Sequence, residues 1–450
     1  MTFSINQKIL TVSLRARGFT LVETLVGSAI FVLIALTAYK AFGVLMTAVS
    51  SSQAKVATTS LANEKLEIIR NLPYGDVGIV TGLPAGKMQR TQNVTRDGYA
   101  FTIQTTVRNV DDPFDGTIGG NPPDTSPADY KLVDLDITCS NCQVFSPVKF
   151  TAIVAPQALE TASVNGALFI QAFDAGGIPI TGATVHVLNN QTNPSTVIDE
   201  ITDNGGWLKI VDAPPGINAY NITLTKPGFS QDQTYPSGGA AGPNPVKPDA
   251  TVVLHQVTQV SFAIDKTSSL NVSTVDATCA ALPSIGFSLT GTKLIGTPSV
   301  LKYPTQNFST NLSGAYQFSN LEWDTYSTLL TSATYDLAGT TPLPSFTLNP
   351  NENKILQMVA VPHLNRALLV SVKDSTNGAI DGATVRLQKS GFDQTKTTSS
   401  GSCVTPGQVF WNGLASGAYT LTISKTGYQT SPASVDMSPS WQNKTIILTP

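Results

Sequence analysis

The sequence predicts a mainly β protein with one long N-terminal α-helix, an antiparallel sheet and then three β-sandwich modules. Three observations predict this fold class. An apolar run near the N-terminus continues as an amphipathic helical pattern, many short apolar stretches are separated by Gly, Pro and Asn, and an internal repeat recurs at an offset of roughly 200 residues. A chain of 450 residues is also long enough for about three or four domains.

The apolar run extends from Phe19 to Tyr39, and Glu23 is its only charged residue. At about 1.5 Å per residue this segment is about 30 Å long, the thickness of the hydrocarbon core of a bilayer. A carboxylate inside an apolar segment is costly unless it finds a partner, so Glu23 predicts a functional site. The preceding residues carry the basic charge that is typical of the cytoplasmic side of a membrane: Lys8, Arg15 and Arg17.

The helical pattern continues beyond the apolar run to Arg70, and Pro73 is the expected stop. We therefore expect one helix over residues 19–72, about 80 Å long, which is apolar all round in its first half and amphipathic in its second. Only the second half needs a folded domain to pack against.

These residues carry a resemblance to a known family. The run Gly18-Phe19-Thr20-Leu21-Val22-Glu23, with Arg17 before it, resembles the class III signal of type IV prepilins and type II secretion pseudopilins. The resemblance implies that residues 1–18 are a leader, which a prepilin peptidase removes by cutting between Gly18 and Phe19 before it methylates the new amino group of Phe19. It also implies that Glu23 pairs with the positive N-terminus of a neighbouring subunit during assembly.

Two features bear on the subgroup. The segment Leu61–Pro73 looks like the distal helix of PilV-like and pseudopilin I-like minor pilins, and Lys40 stands where many major pilins have a helix-loosening proline. We therefore expect a minor pilin or pilin-like subunit of a type IV filament. It would cross the inner membrane once before assembly, with its C-terminal domains outside the cytoplasm, and then enter a cell-surface filament.

Two alternatives to this reading stay open. One is a pseudopilin of a type II secretion system, and the other is a filament-displayed adhesin that binds glycans or surfaces. The expected partners are the prepilin peptidase, other pilins or pseudopilins of the filament and the inner membrane, together with a surface or glycan ligand in the adhesin alternative.

Residues 73–157 predict a four-stranded antiparallel head. The stretches 87–95 and 99–109 alternate apolar and polar residues on either side of a tight-turn signal, Arg96-Asp97-Gly98. Two more strands are expected at residues 130–138 and 147–154. Such a sheet can cover the distal half of the helix, as a pilin head does.

The head also carries candidate disulfide and metal residues. Cys139 and Cys142 have CxxC spacing and predict a small disulfide that closes a strand-end turn, with free thiols as the alternative. Asp111, Asp112 and Asp115 are candidate calcium ligands on a Gly/Pro-rich loop. Their spacing does not match an EF-hand loop, so the alternative is an acidic, solvated turn. No other cofactor is predicted.

The rest of the chain contains the internal repeat, which divides into modules at residues 158–257, 258–361 and 362–450. Gly182–Val185 corresponds to Gly382–Val385, and Gly286–Leu289 takes this position in the divergent middle module. The pattern resembles carboxypeptidase regulatory-like and CnaB-type transthyretin-like domains. This implies transthyretin-like or immunoglobulin-like sandwiches that serve as stalks or accessory domains. Cys279 and Cys403 lie in different modules, and the sequence leaves open whether they pair.

Little in the sequence points to chemistry or to nucleic acid. Charged residues make up only 13% of the chain, and the net charge of -3 gives no support for nucleic-acid binding. Nucleophile elbows, phosphate loops and HExxH motifs are absent, so we expect no enzymatic activity. The Gly-rich segment 237–243 is expected to be a flexible loop.

Two groups of residues in the modules remain as alternatives. CnaB-type domains often carry a Lys-Asn isopeptide bond, and the candidate members in the middle module are Lys266, Glu322 and Asn353; the alternative is that these are unconnected surface residues. The aromatic candidates for a glycan-binding face, which are otherwise core or cross-strand packing, are Trp323, Tyr326 and Trp441.

Overall fold

The computed structural model describes residues 20–142, 144–157, 162–399, 403 and 405–450. The chain is mainly β with one long N-terminal helix, as the sequence predicts. It divides into two compact units. The helix unit comprises the residues up to Val77 with Lys87–Thr106 and Leu132–Val154, and the sandwich unit comprises Gly78–Gly86, Val107–Lys131 and Ala155–Pro450.

The helix α1 spans Leu21–Arg70, and a short 3-10 helix follows at Tyr74–Asp76. The described part of the chain then forms the strands β1 Thr91–Arg96, β2 Tyr99–Val110, β3 Tyr130–Cys139, β4 Val148–Val154, β5 Gly166–Phe173, β6 Thr184–Asn189, β7 Thr196–Ile201, β8 Trp207–Ala213, β9 Gly216–Thr225, β10 Asp232–Gln233, β11 Asn244–Pro245, β12 Ala250–Val252, β13 Val257–Ala263, β14 Ser268–Val275, β15 Gly286–Thr290, β16 Leu294–Thr297, β17 Val300–Leu301, β18 Gln306–Ser309, β19 Ala315–Leu321, β20 Asp324–Leu330, β21 Tyr335–Thr341, β22 Ser345–Leu348, β23 Asn353–Pro362, β24 Ala367–Lys373, β25 Thr384–Lys389, β26 Phe392–Thr397, β27 Gln408–Trp411, β28 Ala418–Ser424, β29 Ser431–Asp436 and β30 Trp441–Ile447.

The first sheet is an antiparallel meander in the order β1-β2-β3-β4. Its first hairpin turns at Asp97 and Gly98, whose φ angles are 52° and 81°. Positive φ at both central residues is the geometry of the tight hairpin turn that Asp-Gly favours. The sequence signal for this hairpin is confirmed.

Three β-sandwiches follow, and each buries an apolar core between two sheets. The strand orders are β10-β9-β6-β7 and β13-β5-β8 in the first, β19-β14-β23-β21 and β18-β15-β20-β22 in the second, and β27-β24-β30 and β26-β25-β28-β29 in the third. In every sandwich the first strand pairs in parallel with the last strand: β5 with β13, β14 with β23 and β24 with β30. The shared topology is the structural form of the internal repeat.

The end of the first sandwich differs from the expected boundary. Strand β13 (Val257–Ala263) pairs with β5 along its whole length, from Ala167 to Phe173. The boundary drawn from the sequence after residue 257 therefore cuts the last strand of the first sandwich after its first residue. The parallel partner of this strand lies about 90 residues earlier, so no local signal reveals it.

A recurring hydrogen bond identifies equivalent positions in the three modules. A buried threonine hydroxyl accepts a backbone N–H from just before the second strand: Ala183 to Thr202 (3.0 Å), Ile285 to Thr310 (3.1 Å) and Ala383 to Thr398 (2.9 Å). The preceding residues Gly182, Ser284 and Gly382 all have positive φ, at 66°, 56° and 66°. The counterpart of Gly182 in the middle module is therefore Ser284, and the sequence alignment on Gly286 was wrong by two residues.

Two stretches of the expected head, residues 78–86 and 107–131, belong to the sandwich unit. The Val197 N–H donates to the Thr81 carbonyl at 2.7 Å, and Leu83 packs against the core of the first sandwich. The region expected as one head over residues 73–157 is thus shared between the two units.

Candidate membrane and assembly segment

The first turn of α1 is closed by a capping box between Thr20 and Glu23. The Thr20 hydroxyl accepts the Glu23 N–H at 3.2 Å, while Glu23 Oε2 accepts the Thr20 N–H at 3.0 Å and the Thr20 hydroxyl at 2.9 Å. The carboxylate thereby satisfies a free N–H at the positive end of the helix dipole. Thr20 is a functional residue with a recognisable sequence signal, because Thr-x-x-Glu before an apolar run is the signature of this box.

The second oxygen of this carboxylate differs from the first in its hydrogen bonding within the described residues. Glu23 Oε1 accepts no hydrogen bond from the residues that the structure describes, whereas Oε2 serves the cap. A cation from another chain can therefore bind Oε1 without breaking the capping box. The geometry permits the two roles together.

The N-terminal half of α1 presents apolar side chains to its surroundings. Leu21 is 78% exposed, Phe31 71% and Leu33 63%. Among the described residues, α1 is the one helix that is long and apolar enough to cross a membrane. A contiguous apolar surface of this size marks a membrane or protein contact. The helix also continues through Lys40 without a break.

The C-terminal half of α1 packs against the first sheet. Its buried residues recur at helical spacing: Ala54, Ala57, Thr58, Leu61, Ala62 and Ile69. Polar contacts fix the same face, since the Tyr99 hydroxyl donates to the Ser50 carbonyl at 3.2 Å and Arg96 forms an ion pair with Glu64. The helix therefore changes from an exposed apolar rod to a packed amphipathic helix within about one turn after Ser50.

The expected processing residues lie outside the described part of the chain. They are the cleavage pair Gly18 and Phe19 and the leader charges Lys8, Arg15 and Arg17. Processing at this position therefore stays a prediction.

The structure joins the Sγ atoms of Cys139 and Cys142. The loop between them is tied to the neighbouring hairpin, because Asn141 Oδ1 accepts the Ala100 N–H at 2.7 Å and Asn141 Nδ2 donates to the Gly98 carbonyl at 2.9 Å. The disulfide closes the end of β3 against the turn of the first hairpin.

Two of the three aspartates predicted as calcium ligands bind backbone N–H groups of their own loop. Asp111 Oδ2 accepts the Ile118 N–H at 3.0 Å, and Asp112 Oδ1 accepts the Phe114 N–H at 3.1 Å. Asp115 is exposed. In the described part of the chain, no group of three or more His, Cys, Asp or Glu residues is arranged to hold a metal ion. The geometry matches the alternative, a loop in which Asp side chains bind their own backbone.

The three candidate isopeptide residues have other surroundings and partners than one another. Lys266 is exposed, and Glu322 forms ion pairs with Lys293 at 2.8 Å and Lys302 at 2.7 Å. Asn353 accepts hydrogen bonds from Ser269 and Asn271 instead. The set therefore lacks the Lys-Glu-Asn contact that the cross-link requires.

Comparison with known proteins assigns the N-terminal segment. Residues 13–39 match the family model described as the prokaryotic N-terminal methylation motif. This range includes the whole of Gly18–Glu23 and residues 21–39 of α1. The chain therefore has a prepilin-type N-terminus. No curated protein matches the chain.

Several solved structures show a distant likeness to the chain. The Bacillus anthracis TIE protein is 14% identical with a TM-score of 0.19, and the match covers 80% of this chain and 73% of that one. A streptococcal ancillary pilin is 14% identical over 63% of this chain and 98% of its own, with a TM-score of 0.17. GBS52, the minor pilin of Streptococcus agalactiae, is 14% identical over 40% and 95%, also at 0.17. At these TM-scores the likeness carries no argument about function.

Proposed function

We propose that this chain is a minor pilin or pilin-like subunit of a type IV filament, which displays three β-sandwich modules at the cell surface. The observation that carries the proposal is the prepilin-type segment at residues 13–39 on a helix whose first half is exposed and apolar and whose second half is packed. Such a helix anchors the chain in the membrane first and packs among other helices later. The role is structural.

Glu23 supports the assembly step. Its Oε2 stabilises the start of α1, and its Oε1 accepts no hydrogen bond from the described chain. In an apolar bundle of helices, the new amino group at Phe19 of a neighbouring subunit is the complementary charge. Pairing would neutralise two charges that are each costly alone in hydrocarbon.

Two variants at this position test the proposal. Glu23→Ala removes both the charge and the cap, whereas Glu23→Gln keeps an oxygen for the Thr20 N–H and removes only the charge. We expect both variants in the membrane fraction, with at least tenfold less of either than of the native chain in sheared filaments, since a buried unpaired ammonium costs several kcal/mol. The measurement is immunoblotting of membrane and sheared fractions.

The outcome for Glu23→Gln decides the point. If this variant reaches sheared filaments at the native level, charge pairing does not drive assembly. If the native chain itself is missing from sheared filaments and remains with a periplasmic secretion filament, the pseudopilin alternative replaces the pilus proposal.

A further inference from the structure

A cleft of about 440 Å³ lies inside the sandwich unit, between the first and second sandwiches. Residues from the segment after β9 form one wall, and residues around β17 and the β19–β20 turn form the other. The walls carry aromatic rings and uncharged amides together with a few charges. The lining residues that are at least partly exposed include Phe229, Gln231, Gln233, Tyr235 and Tyr303, whereas Tyr326 is only 1% exposed.

The two walls are fixed to each other by contacts between the sandwiches. Lys302 Nζ donates to the Gln231 carbonyl at 2.6 Å, and β11 pairs with β16 through Asn244 and Thr297. A Cβ on Gly296 would lie 1.6 Å from the Ala241 carbonyl oxygen, so only glycine permits this approach. The Gly-rich segment expected as a flexible loop is thus held against the second sandwich, and the cleft is preformed.

The charges in the cleft are balanced. Glu322 is 18% exposed and accepts from both Lys293 and Lys302. Asp324 is buried, and its carboxylate accepts the backbone N–H groups of Thr292 and Lys293. The charged groups that line the cleft, two lysines and two carboxylates, sum to zero. An ionic ligand gains no net attraction here.

Two hydroxyl groups remain free for a ligand. Tyr235 and Tyr303 are half-buried in the cleft walls, and neither phenolic oxygen has a hydrogen-bond partner in the described chain. Tyr326 differs, because its hydroxyl donates to the Glu322 carbonyl at 2.9 Å. Desolvation raises the pKa of both Tyr235 and Tyr303, so their hydroxyls stay protonated and can donate as well as accept at neutral pH.

We propose that this cleft binds a neutral oligosaccharide. The apolar face of a sugar ring packs on aromatic rings, and its hydroxyls bond to phenol and amide groups, which are the groups this cleft offers without net charge. A volume of about 440 Å³ accommodates one or two sugar rings. The inference rests on the proposed filament function, because only a displayed module meets external glycans.

The test uses the full chain, purified in detergent and applied to an array of neutral glucose-, galactose- and mannose-based oligosaccharides, with sialylated and sulfated glycans on the same array. The double variant Tyr235→Phe/Tyr303→Phe keeps both rings and removes both free hydroxyls. We expect the native chain to bind at least one neutral oligosaccharide. We expect the affinity of the double variant for the same oligosaccharide to be lower by a factor of about ten or more.

A matched control is Tyr335→Phe, since Tyr335 lines the separate cavity between the second and third sandwiches. This variant should bind as the native chain does. The inference is overturned by the absence of neutral-glycan binding, by binding of acidic glycans alone, or by native-level binding in the double variant. The binding assay requires no filament. A negative result in it is therefore distinct from a negative result for the filament proposal, in which the Glu23 variants would reach sheared filaments at the native level.

Discussion

At the scale of single residues, Glu23 bonds to Thr20 in its own chain, and we propose a second partner from a neighbouring subunit. Within its own chain it closes the first turn of α1 through Thr20. Its other oxygen accepts no hydrogen bond within the described part of the chain, and we propose that the new N-terminus of a neighbouring subunit binds there. A carboxylate that first stabilises its own helix avoids an unpaired charge before assembly.

Asp111 provides a residue-scale prediction about pH. Burial raises the pKa of Asp111 above the ordinary value of 3.8, and the nearby carboxylates of Asp124, Asp129 and Asp115 raise it further. The hydrogen bond from the Ile118 N–H lowers the pKa but does not cancel the rise. The folded state therefore holds this proton more tightly than the unfolded state. The contribution of Asp111 to the free energy of unfolding therefore falls as the pH rises from about 3.8 through the raised pKa, and this contribution is constant at higher pH.

Asp111→Asn keeps an oxygen for the Ile118 N–H and removes the charge. We expect the variant to melt at a higher temperature than the native chain at pH 7, with the difference shrinking below about pH 4. Thermal unfolding across this pH range measures it. A lower melting temperature for the variant at pH 7 would show that the carboxylate is stabilising, as a bound cation would make it.

At the scale of elements, the second and third sandwiches are joined as one body. Cys279 is bonded to Cys403, and next to this bridge Gln408 Nε2 donates to the Thr340 carbonyl at 2.6 Å while Gln408 Oε1 accepts the Thr340 N–H at 3.0 Å. Trp441 Nε1 donates to a carbonyl of β21. The third sandwich therefore has a fixed orientation on the second.

The two disulfides predict different losses on removal. The Cys279–Cys403 bridge closes a loop with a sequence separation of 124, and the chain-entropy estimate for such a loop is about 5 kcal/mol. The Cys139–Cys142 bridge has a separation of 3, for which the estimate is about 2 kcal/mol. We expect Cys279→Ser/Cys403→Ser to lower the denaturant midpoint of the sandwich unit far more than Cys139→Ser/Cys142→Ser lowers that of the helix unit.

Urea unfolding of the two double variants, each followed by fluorescence and circular dichroism, measures these losses. Equal small shifts would mean that the bridge between the sandwiches adds no constraint beyond the contacts around Gln408.

Local signals explain which elements were predictable. The helix follows from a continuous pattern between Phe19 and Pro73, and the first hairpin follows from Asp97-Gly98. The parallel pairing of β13 and the Cys279–Cys403 bridge join residues far apart in sequence, so periodicity cannot reveal them. The middle repeat was misaligned because Ser284 adopts the left-handed conformation that glycine adopts in the other modules.

The candidate sites divide in the same way. The assembly segment was recognisable because its residues are contiguous in sequence. The cleft was not, because Tyr235 and Tyr303 come from different sandwiches and neither belongs to a motif. The aspartates of the head loop fit two roles in the sequence, because clustered carboxylates occur both in metal sites and in turns. In the structure Asp111 and Asp112 accept backbone N–H groups of the loop, which is the contact that a turn uses.

At the scale of the whole molecule, the proposed function assigns membrane insertion, assembly and display to different parts of the chain. In this proposal the exposed apolar half of α1 serves insertion and helix packing, and the other half packs against the first sheet. The sandwiches hold the cleft that we assign to a neutral glycan. Each role can fail alone, so the variants at Glu23 and at the two tyrosines report on separate steps.

The most direct test of the filament proposal is the N-terminal residue of the mature protein. We predict that the chain isolated from membranes or sheared filaments begins at Phe19 and carries one methyl group on its amino nitrogen, as mass spectrometry of the N-terminal peptide will show. A mature chain that still begins at Met1, or that begins at any other residue, would contradict the account.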